Sequence, residues 1–186
     1  LSCNAPSENF KNPASKNNKL NVLFIIADDL NCDLGIYGNE IVQTPNIDKL
    51  SQSSVVFENA HCQYPLCGPS RASFMTGMYT NQTKITKNNI LLRSTVPEVI
   101  TIGQRFRQQG YRSVRVGKIF HYDNPGTIGT SGMDDMYSWD QTINPYGRDK
   151  LEKYKIKTLS PRKYGGTLSW MAAEGKDEEQ TDGIGA

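Results

Sequence analysis

The segment at positions 66–77, L-C-G-P-S-R-A-S-F-M-T-G, combines a cysteine, a proline and an arginine in a spacing that could do chemistry. Pro69 suits the first turn of a helix, where a backbone N–H is not needed, and the next residues can continue the helix to Gly77. Cys67 would then lie just ahead of a helix N-terminus, where free N–H groups favour an anion, with Arg71 about one turn further along. A low-pKa thiol and a small buried cysteine are also open interpretations. A cysteine protease is disfavoured, because no His/Asn partner pattern accompanies Cys67.

Asp28 and Asp29 form a second candidate group, at the end of the apolar run L-N-V-L-F-I-I-A. Sites in open α/β sheets form at the carboxyl ends of strands, which is where these two residues would lie. Adjacent carboxylates repel each other, and a hard divalent cation such as Ca²⁺ or Mg²⁺ compensates for this with oxygen ligands. The alternative is that one aspartate caps a turn or helix while the other is solvated.

Lys118 and His121 form a third group, in the segment V-G-K-I-F-H directly after a predicted strand. If the strands are parallel, both residues emerge at the same sheet edge as Asp28 and Asp29. A lysine and a histidine there suit an anionic substrate and proton transfer. Taken singly, each is also compatible with a surface lysine and a hydrogen-bonded histidine. His61, the other histidine, has no neighbour in sequence that gives it a role.

These side chains need a sheet to position them, and three segments have the pattern of strands. The near-continuous apolar run at residues 20–27 is typical of a strand buried on both faces of a parallel sheet. Residues 55–57 are a short strand candidate, and residues 111–116 alternate and are rich in β-formers. With helices between them, these strands predict an α/β fold with a mostly parallel sheet sandwiched by helices.

Helix signals occur between the predicted strands. Thr44-Pro45 supplies an N-cap and a first-turn proline for a helix that extends to about Leu50. The capping box T-I-G-Q at residues 101–104 opens another helix, with Gly110 as its C-cap. Beyond residue 123 periodicity is weak, and residues 174–186 are interpreted as the lead-in to a further helix.

Composition excludes several classes of protein. The 186 residues include 21 Lys and Arg and 19 Asp and Glu, a net charge of +2, so nothing indicates a nucleic-acid partner. No apolar run approaches the roughly 20 residues of a membrane helix. The four cysteines have no C-x-x-C spacing, which disfavours a structural zinc site, and a chain of this size does not need a disulfide framework.

Residues 1–19 are polar and nearly free of core formers, which predicts a flexible leader rather than a fold element. Leu1-Ser2-Cys3 resembles the end of a bacterial lipoprotein signal, in which the cysteine becomes the lipidated first residue. A lipid anchor at Cys3 is therefore one interpretation, and an ordinary surface cysteine is the other.

Cys67-Gly68-Pro69-Ser70-Arg71, followed by A-S-F-M-T-G, resembles the signature of the type I sulfatases of the alkaline phosphatase superfamily. N-V-L-F-I-I-A-D-D-L is similar to that family's first strand with its metal-binding aspartates, and T-P-N-I-D-K-L to the helix that follows. V-G-K-I-F-H and Y-S-W-D resemble the iduronate-2-sulfatase branch. The resemblance covers residues 20–139 well and the remainder loosely. It implies that residues 20–186 are the N-terminal part of a sulfatase catalytic domain, incomplete in this chain.

The resemblance implies a chemistry for the three candidate groups. A separate formylglycine-generating enzyme would oxidise Cys67 to formylglycine, and one Ca²⁺ would be held partly by Asp28, Asp29 and that residue. One hydroxyl of the aldehyde hydrate would attack sulfur, and the second would expel sulfate as the aldehyde re-forms. Arg71 would stabilise the hydrate, Lys118 would bind the sulfate, and His121 would hydrogen-bond the hydrate or assist its collapse.

The implied substrate is a sulfated saccharide or polysaccharide, and the implied location is periplasmic, cell-surface or secreted. A phosphate or phosphonate ester hydrolase of the same superfamily and a non-catalytic protein that binds sulfated glycans are the alternatives. Family members are considerably longer, and their remaining metal ligands come from the later half. Asp134-Asp135 and Asp182-Gly183 do not supply such a pair and are expected to be solvated. The chain alone is therefore expected to be inactive.

Overall fold

A computed structural model of the chain describes residues 19–161, 165–166 and 168–186. The predicted leader, apart from Lys19, and Cys3 lie outside these residues. Within the described part there are seven short α-helices and four short strands, connected by turns. The helices are α1 Pro45–Ser51, α2 Cys67–Thr76, α3 Thr80–Thr83, α4 Leu92–Thr95, α5 Ile102–Gln108, α6 Arg148–Leu151 and α7 Thr181–Gly185; the strands are β1 Val114–Val116, β2 Gln141–Ile143, β3 Lys157–Thr158 and β4 Ser169–Trp170.

The strands form two small sheets. β1 and β2 pair in parallel, with Val114 opposite Gln141 and Val116 opposite Ile143. β3 and β4 pair antiparallel, with Lys157 opposite Trp170. The strand predicted at residues 111–116 is confirmed in its second half, and the parallel pairing expected of an α/β fold is confirmed for this one short sheet.

The strand predicted at residues 20–27 is wrong for this structure, as is the one at residues 55–57. Both segments lack regular secondary structure and are largely exposed; Leu23 is 85% exposed and Ile25 79%. A strand needs a neighbour to pair with its N–H and C=O groups. No described segment pairs with residues 20–27, so their apolar pattern is not matched by burial. Phe24 alone makes an aromatic contact, with its ring edge-on to Phe74 at 6.0 Å.

The hydrophobic core lies between α2 and the loop that follows β1. Its buried members are Ala72, Met75, Ile85, Leu92 and Phe120. Apolar residues at both 72 and 75 bury one face of α2, as the helical spacing of three requires. Because this face is fixed against Phe120, the first turn of α2 is held close to the residues that flank Phe120 in sequence.

Helix starts follow the predicted signals with local differences. α1 begins at Pro45 as expected, but the Thr44 hydroxyl donates to Asp48 Oδ1 (2.9 Å) instead of capping the helix. At α5, Thr101 Oγ1 accepts from the Gln104 N–H (3.2 Å), which confirms one half of the capping box. The Gln104 side chain accepts from Arg93 instead (3.0 Å), so the reciprocal half is not formed. Gly110 has φ +77°, the left-handed conformation expected after a helix end.

The expectation that Asp134 and Asp135 are solvated is wrong, because both side chains are buried. Asp135 accepts from Arg93 Nε and Nη2 at 2.9 Å each, and from the Ser138 hydroxyl at 2.7 Å. Asp134 accepts from Trp139 Nε1 at 2.9 Å. These bonds offset the cost of burying two carboxylates. Through the bonds to Asp135, the loop at residues 134–135 is joined to Arg93, 42 residues earlier in the chain. Asp182 is exposed, as expected, within α7.

Residues 174–186 were expected to lead into a helix, and the structure differs in that residues 181–185 within this stretch already form helix α7. Among the described residues, none of the helices has the length and apolar character that crossing a membrane requires.

Candidate active site

The segment that carries Cys67 is the start of helix α2. The helix begins at Cys67 itself, two residues earlier than Pro69 suggested, and Leu66 precedes it in an extended conformation. The helix ends at Thr76, and its C-cap Gly77 has φ +71° and an N–H that bonds to Ser73 O at 2.8 Å. Cys67 is half-buried and not disulfide-bonded. It is thus a first-turn residue on a helix whose opposite side is fixed in the core.

Asp28, Asp29 and Cys67 lie together. One potential ligand atom from each residue is within 4.8 Å of the others. Two carboxylates suit a hard divalent cation, whereas a thiolate sulfur is a soft ligand that such a cation disfavours. The donor set therefore fits a hard cation best when position 67 presents oxygen instead of sulfur. Asp29 has φ +56°, a backbone conformation that is uncommon for a residue with a side chain.

Two cations hold Asp28. Arg71 Nη2 donates to Asp28 Oδ1 at 2.7 Å, and Lys118 Nζ donates to Oδ2 at 2.5 Å. Burial on its own would raise the pKa of Asp28, but the hydrogen bonds from Lys118 and Arg71 outweigh it and lower the pKa below its ordinary value of 3.8. Asp28 is therefore ionised at neutral pH.

Arg71 joins three segments of the chain. Its side chain is buried, and besides its bond to Asp28 it donates through Nη1 to the backbone oxygens of Lys118 (3.2 Å) and Ile119 (2.8 Å). Five N–H donors in a rigid plane allow one guanidinium to serve all these acceptors. Arg71 thereby positions Lys118 relative to helix α2.

Lys118 and His121 take different positions. Lys118 Nζ donates a hydrogen bond to Asp28, and it also lies 5.3 Å from the centre of the Tyr122 ring. His121 lines a separate small cavity of about 10 Å³ beside Gly68 and Asn88, and its buried Nδ1 has no hydrogen-bond partner among the described residues. Burial, and then the charge of Lys118, lower the pKa of His121 below 6.5, so its neutral form is favoured at pH 7.

The cluster of Asp28, Asp29 and Cys67 opens into a large cleft of about 1290 Å³. Asp28, Asp29 and Cys67 line it together with Arg71. Asn88 is a further lining residue that sequence reasoning missed; its Oδ1 accepts from the Gly68 N–H at 2.8 Å, next to Cys67. The signal was weak, because an Asn-Asn pair in a loop has no spacing that marks it. His61 is exposed, and its Nδ1 bonds locally to Asn59 O (2.9 Å).

The structure thus brings five of the six sequence-predicted site residues into one hydrogen-bonded or ligand-distance cluster, with His121 in the neighbouring cavity. The two carboxylates can hold a bound cation. The helix N-terminus and the positive side chains of Arg71 and Lys118 can hold an anion next to it.

Comparison with known proteins gives concordant matches. The family model described as sulfatase matches residues 20–184. Human iduronate 2-sulfatase is 41% identical over 141 residues, which are 76% of this chain and 24% of that protein. A sulfatase of Formosa agariphila is 39% identical over 128 residues, covering 65% of this chain and 25% of the relative. An ulvan-active sulfatase of the same organism is 33% identical over 128 residues, 68% and 23% of the two chains.

The chain spans about a quarter of the length of these curated relatives. The family match nevertheless extends over most of the chain and contains every residue of the cluster at Asp28, Cys67 and Lys118. The chain belongs to the sulfatase family.

Proposed function

We propose that the protein is a sulfuric ester hydrolase that removes sulfate from a sulfated saccharide, with residues 20–186 as the N-terminal part of its catalytic domain. The observation that carries the proposal is the convergence of Asp28, Asp29 and Cys67 within 4.8 Å, with Asp28 held by Arg71 and Lys118. Hydrolysis of an anionic ester needs a positive group that binds the anion and a nucleophile that attacks it. Lys118 would bind the anion, and half-buried Cys67 would be the precursor of the nucleophile, beside the carboxylates of Asp28 and Asp29.

Cys67 would act after oxidation to formylglycine by a separate maturation enzyme, which would give the site the hydroxyl nucleophile that a thiol does not provide. This change also replaces sulfur by oxygen at the position where a hard cation needs it. Asp28, Asp29 and the modified residue 67 would then hold one Ca²⁺, which would balance negative charge and lower the pKa of the attacking hydroxyl.

The remaining side chains have roles that follow from their contacts. Arg71 is buried and bonded on three sides, so it would hold residue 67 and Asp28 in place while stabilising the hydrate. Lys118 would turn an N–H of its ammonium group toward a sulfate oxygen, because its three donors exceed the one bond it makes to Asp28. His121, neutral at pH 7, would accept or return a proton as the hydrate forms and collapses.

Two named relatives support a saccharide substrate. One is named for iduronate and another for activity on ulvan. A sulfated sugar fits a wide open cleft better than it fits a narrow pocket, and the cleft here is about 1290 Å³. A periplasmic, cell-surface or secreted location, with or without lipidation at Cys3, would give the enzyme access to external polysaccharide.

Mass spectrometry of the Cys67 peptide, from the whole protein made in its native host, tests the proposal. We expect the lower mass of formylglycine, together with release of sulfate from sulfated saccharides that a Cys67→Ala variant does not show. An unmodified thiol, in a host that modifies other sulfatases, would favour a glycan-binding protein. Faster hydrolysis of an aryl phosphate than of the matching aryl sulfate would favour a phosphate ester hydrolase.

A further inference from the structure

The first turn of α2, which carries Cys67, has backbone N–H groups that the helix itself does not bond. Pro69 has no N–H, and the Ser70 N–H bonds to Leu66 O at 3.0 Å. Leu66 precedes the helix and makes no side-chain cap. The Gly68 N–H therefore needs an acceptor from another part of the chain.

Asn88 supplies that acceptor, from a loop 20 residues later in the chain. Its Oδ1 accepts from the Gly68 N–H at 2.8 Å, which is the bond of an N-cap made from a distant position. In the part of the chain that the structure describes, this is the one hydrogen bond that joins residues 66–70 to a distant segment. A bond at this N–H fixes the plane of the peptide between Cys67 and Gly68.

The contact between the loop and the helix is close enough to require glycine at position 68. A Cβ there would lie 2.9 Å from Asn88 Oδ1 and 3.1 Å from Asn88 Cα. The backbone oxygen of Lys87 would be 3.5 Å away. Because Gly68 has no side chain, the loop backbone packs directly on the first turn of α2, and the bond from Gly68 to Asn88 can form.

The loop that carries Asn88 is itself anchored in the hydrophobic core. Ile85 is 2% exposed and belongs to the same buried cluster as Met75 of α2. Ile90, on the other side of Asn88 in sequence, packs against that cluster. An acceptor on a loop that is fixed at both ends can hold a helix start in one position, because its own position is set by packing.

Asn88 also separates the two spaces of the candidate site. Of the described residues, it alone lines both the cleft beside Cys67 and the small cavity beside His121. Its Oδ1 is bonded to Gly68, whereas its Nδ2 makes no hydrogen bond to any described residue. The two arms of the amide are therefore in different situations, and substitutions can distinguish between them.

We infer that Asn88 is a positioning residue for the reaction at residue 67, and that it acts through its bond to Gly68. This inference rests on the proposed function for the chemistry at residue 67, and it adds the residue that holds the backbone of the nucleophile. Misplacement of a reacting group by about 1 Å can cost about 10²-fold in rate. In this role Asn88 acts through the first turn of α2 and not by contact with the substrate.

Two substitutions in the whole protein test the role of the acceptor. Asn88→Leu keeps the branching of the side chain without an acceptor, and Asn88→Asp keeps an acceptor oxygen but loses Nδ2. Asn88→Leu should lower kcat for 4-nitrophenyl sulfate about 10–100-fold, with KM changed less than about threefold. Asn88→Asp should recover most of kcat, with a higher KM because its charge repels the anionic substrate. Rates are divided by the formylglycine content of the residue-67 peptide, so unmatured protein is not counted.

The matched control is Asn81→Ala, since Asn81 is exposed on α3 and lines neither the cleft nor the small cavity. It should leave kcat and KM unchanged. An unchanged kcat in Asn88→Leu would overturn the positioning role. A loss in Asn88→Leu that Asn88→Asp does not restore would also overturn it, because Nδ2 and not the bond to Gly68 would then be the group that matters.

Hydrogen exchange of the Gly68 amide separates failure of this inference from failure of the proposed hydrolase. We expect exchange at least about tenfold faster in Asn88→Leu than in the wild type, and close to the wild-type rate in Asn88→Asp. If exchange follows this order but the wild type cleaves no sulfate ester, the hold on residue 67 stands and the hydrolase proposal fails. If the wild type cleaves sulfate esters but the Gly68 amide exchanges equally fast in all three proteins, only the inference about Asn88 is wrong.

Discussion

At the scale of single residues, Asp28 is the link between the candidate metal ligands and the two cations Arg71 and Lys118. Each of its oxygens already accepts one bond, from Arg71 and from Lys118. A carboxylate has about four lone-pair positions, so two bonds leave capacity for a cation. The same two bonds lower the pKa of Asp28 and keep it charged. Asp28 therefore keeps the capacity to coordinate a cation while it bonds to Lys118.

Lys118→Ala in the whole protein should lower kcat/KM for an aryl sulfate by about 10²–10³-fold, the range for loss of one preorganised donor at a developing anion. The lysine is held near helix α2 by the bonds from Arg71 to the backbone at 118 and 119. Removal of its side chain leaves those bonds intact, so the fold should survive. The measurement is the initial rate of 4-nitrophenol release, with Lys155→Ala, an exposed lysine that bonds to Glu152 and not to Asp28, as the control. Equal losses in both variants would contradict the role of Lys118.

At the scale of elements, the confirmed predictions are helix starts and caps, which depend on residues close together in sequence. The start of α1 at Pro45, the cap of α5 at Thr101 and the helix that contains Cys67 all depend on signals within a few residues, and all three are present. The burial of Asp135 depends on Arg93, 42 residues away in sequence. No local pattern marks such a pair, so an Asp-Asp dipeptide in a polar loop suggested solvated residues.

The buried Arg93–Asp135 pair should contribute measurable stability. Asp135→Asn removes the charge, and with it part of two 2.9 Å bonds from Arg93. We expect a loss of about 2–3 kcal/mol in the free energy of unfolding of the whole protein, measured by urea denaturation. The control is Asp140→Asn, which alters a more exposed pair with Arg107 at 2.8 Å and should therefore cost clearly less than Asp135→Asn does. A larger loss in the control would contradict the prediction.

The same pair predicts a pH dependence. Burial would raise the pKa of Asp135, but bonds from Arg93 and Ser138 outweigh it and lower the pKa below 3.8. A carboxyl whose pKa is lower in the folded state stabilises the fold above its unfolded value and loses this effect as pH falls through the folded value. Unfolding free energy should therefore drop below about pH 4 in the wild type, and less steeply in Asp135→Asn.

The packing of α5 on the loop at residue 138 depends on Gly103. A Cβ at this position would lie 2.6 Å from the backbone oxygen of Ser138 and 3.2 Å from the Trp139 ring. Gly103→Ala should destabilise the whole protein by about 2 kcal/mol, even after the gain in helix propensity. Thermal unfolding and the near-UV circular dichroism of Trp139 measure the effect. Arg105→Ala, on the exposed face of the same helix, is the control and should stay within about 0.5 kcal/mol.

At the scale of the whole molecule, the unmatched feature is the apolar segment at residues 20–25. Its sequence predicts a strand buried on both faces, and the described structure leaves it without a pairing partner. The apolar pattern shows that these residues are suited to burial. A strand also needs a second segment to accept and donate its backbone hydrogen bonds, and the sequence of one stretch does not identify that segment. Asp28 and Asp29, at the end of the run, lie within 4.8 Å of Cys67, as the family resemblance implied, although the strand that was expected to position them is not formed.

An exposed apolar segment of this kind should make the 186-residue chain associate when it is expressed alone. Large apolar patches and unpaired extended backbone promote contact between copies. We expect the isolated chain to elute as large species in size-exclusion chromatography and to bind the dye ANS. Leu23→Lys with Ile25→Lys should reduce both, because each side chain is more than three-quarters exposed and a lysine there disfavours strand pairing. Glu178→Lys, also exposed, changes net charge by the same two units without touching the segment. If this control reduces association as much as the double variant does, net charge and not the apolar segment is the cause.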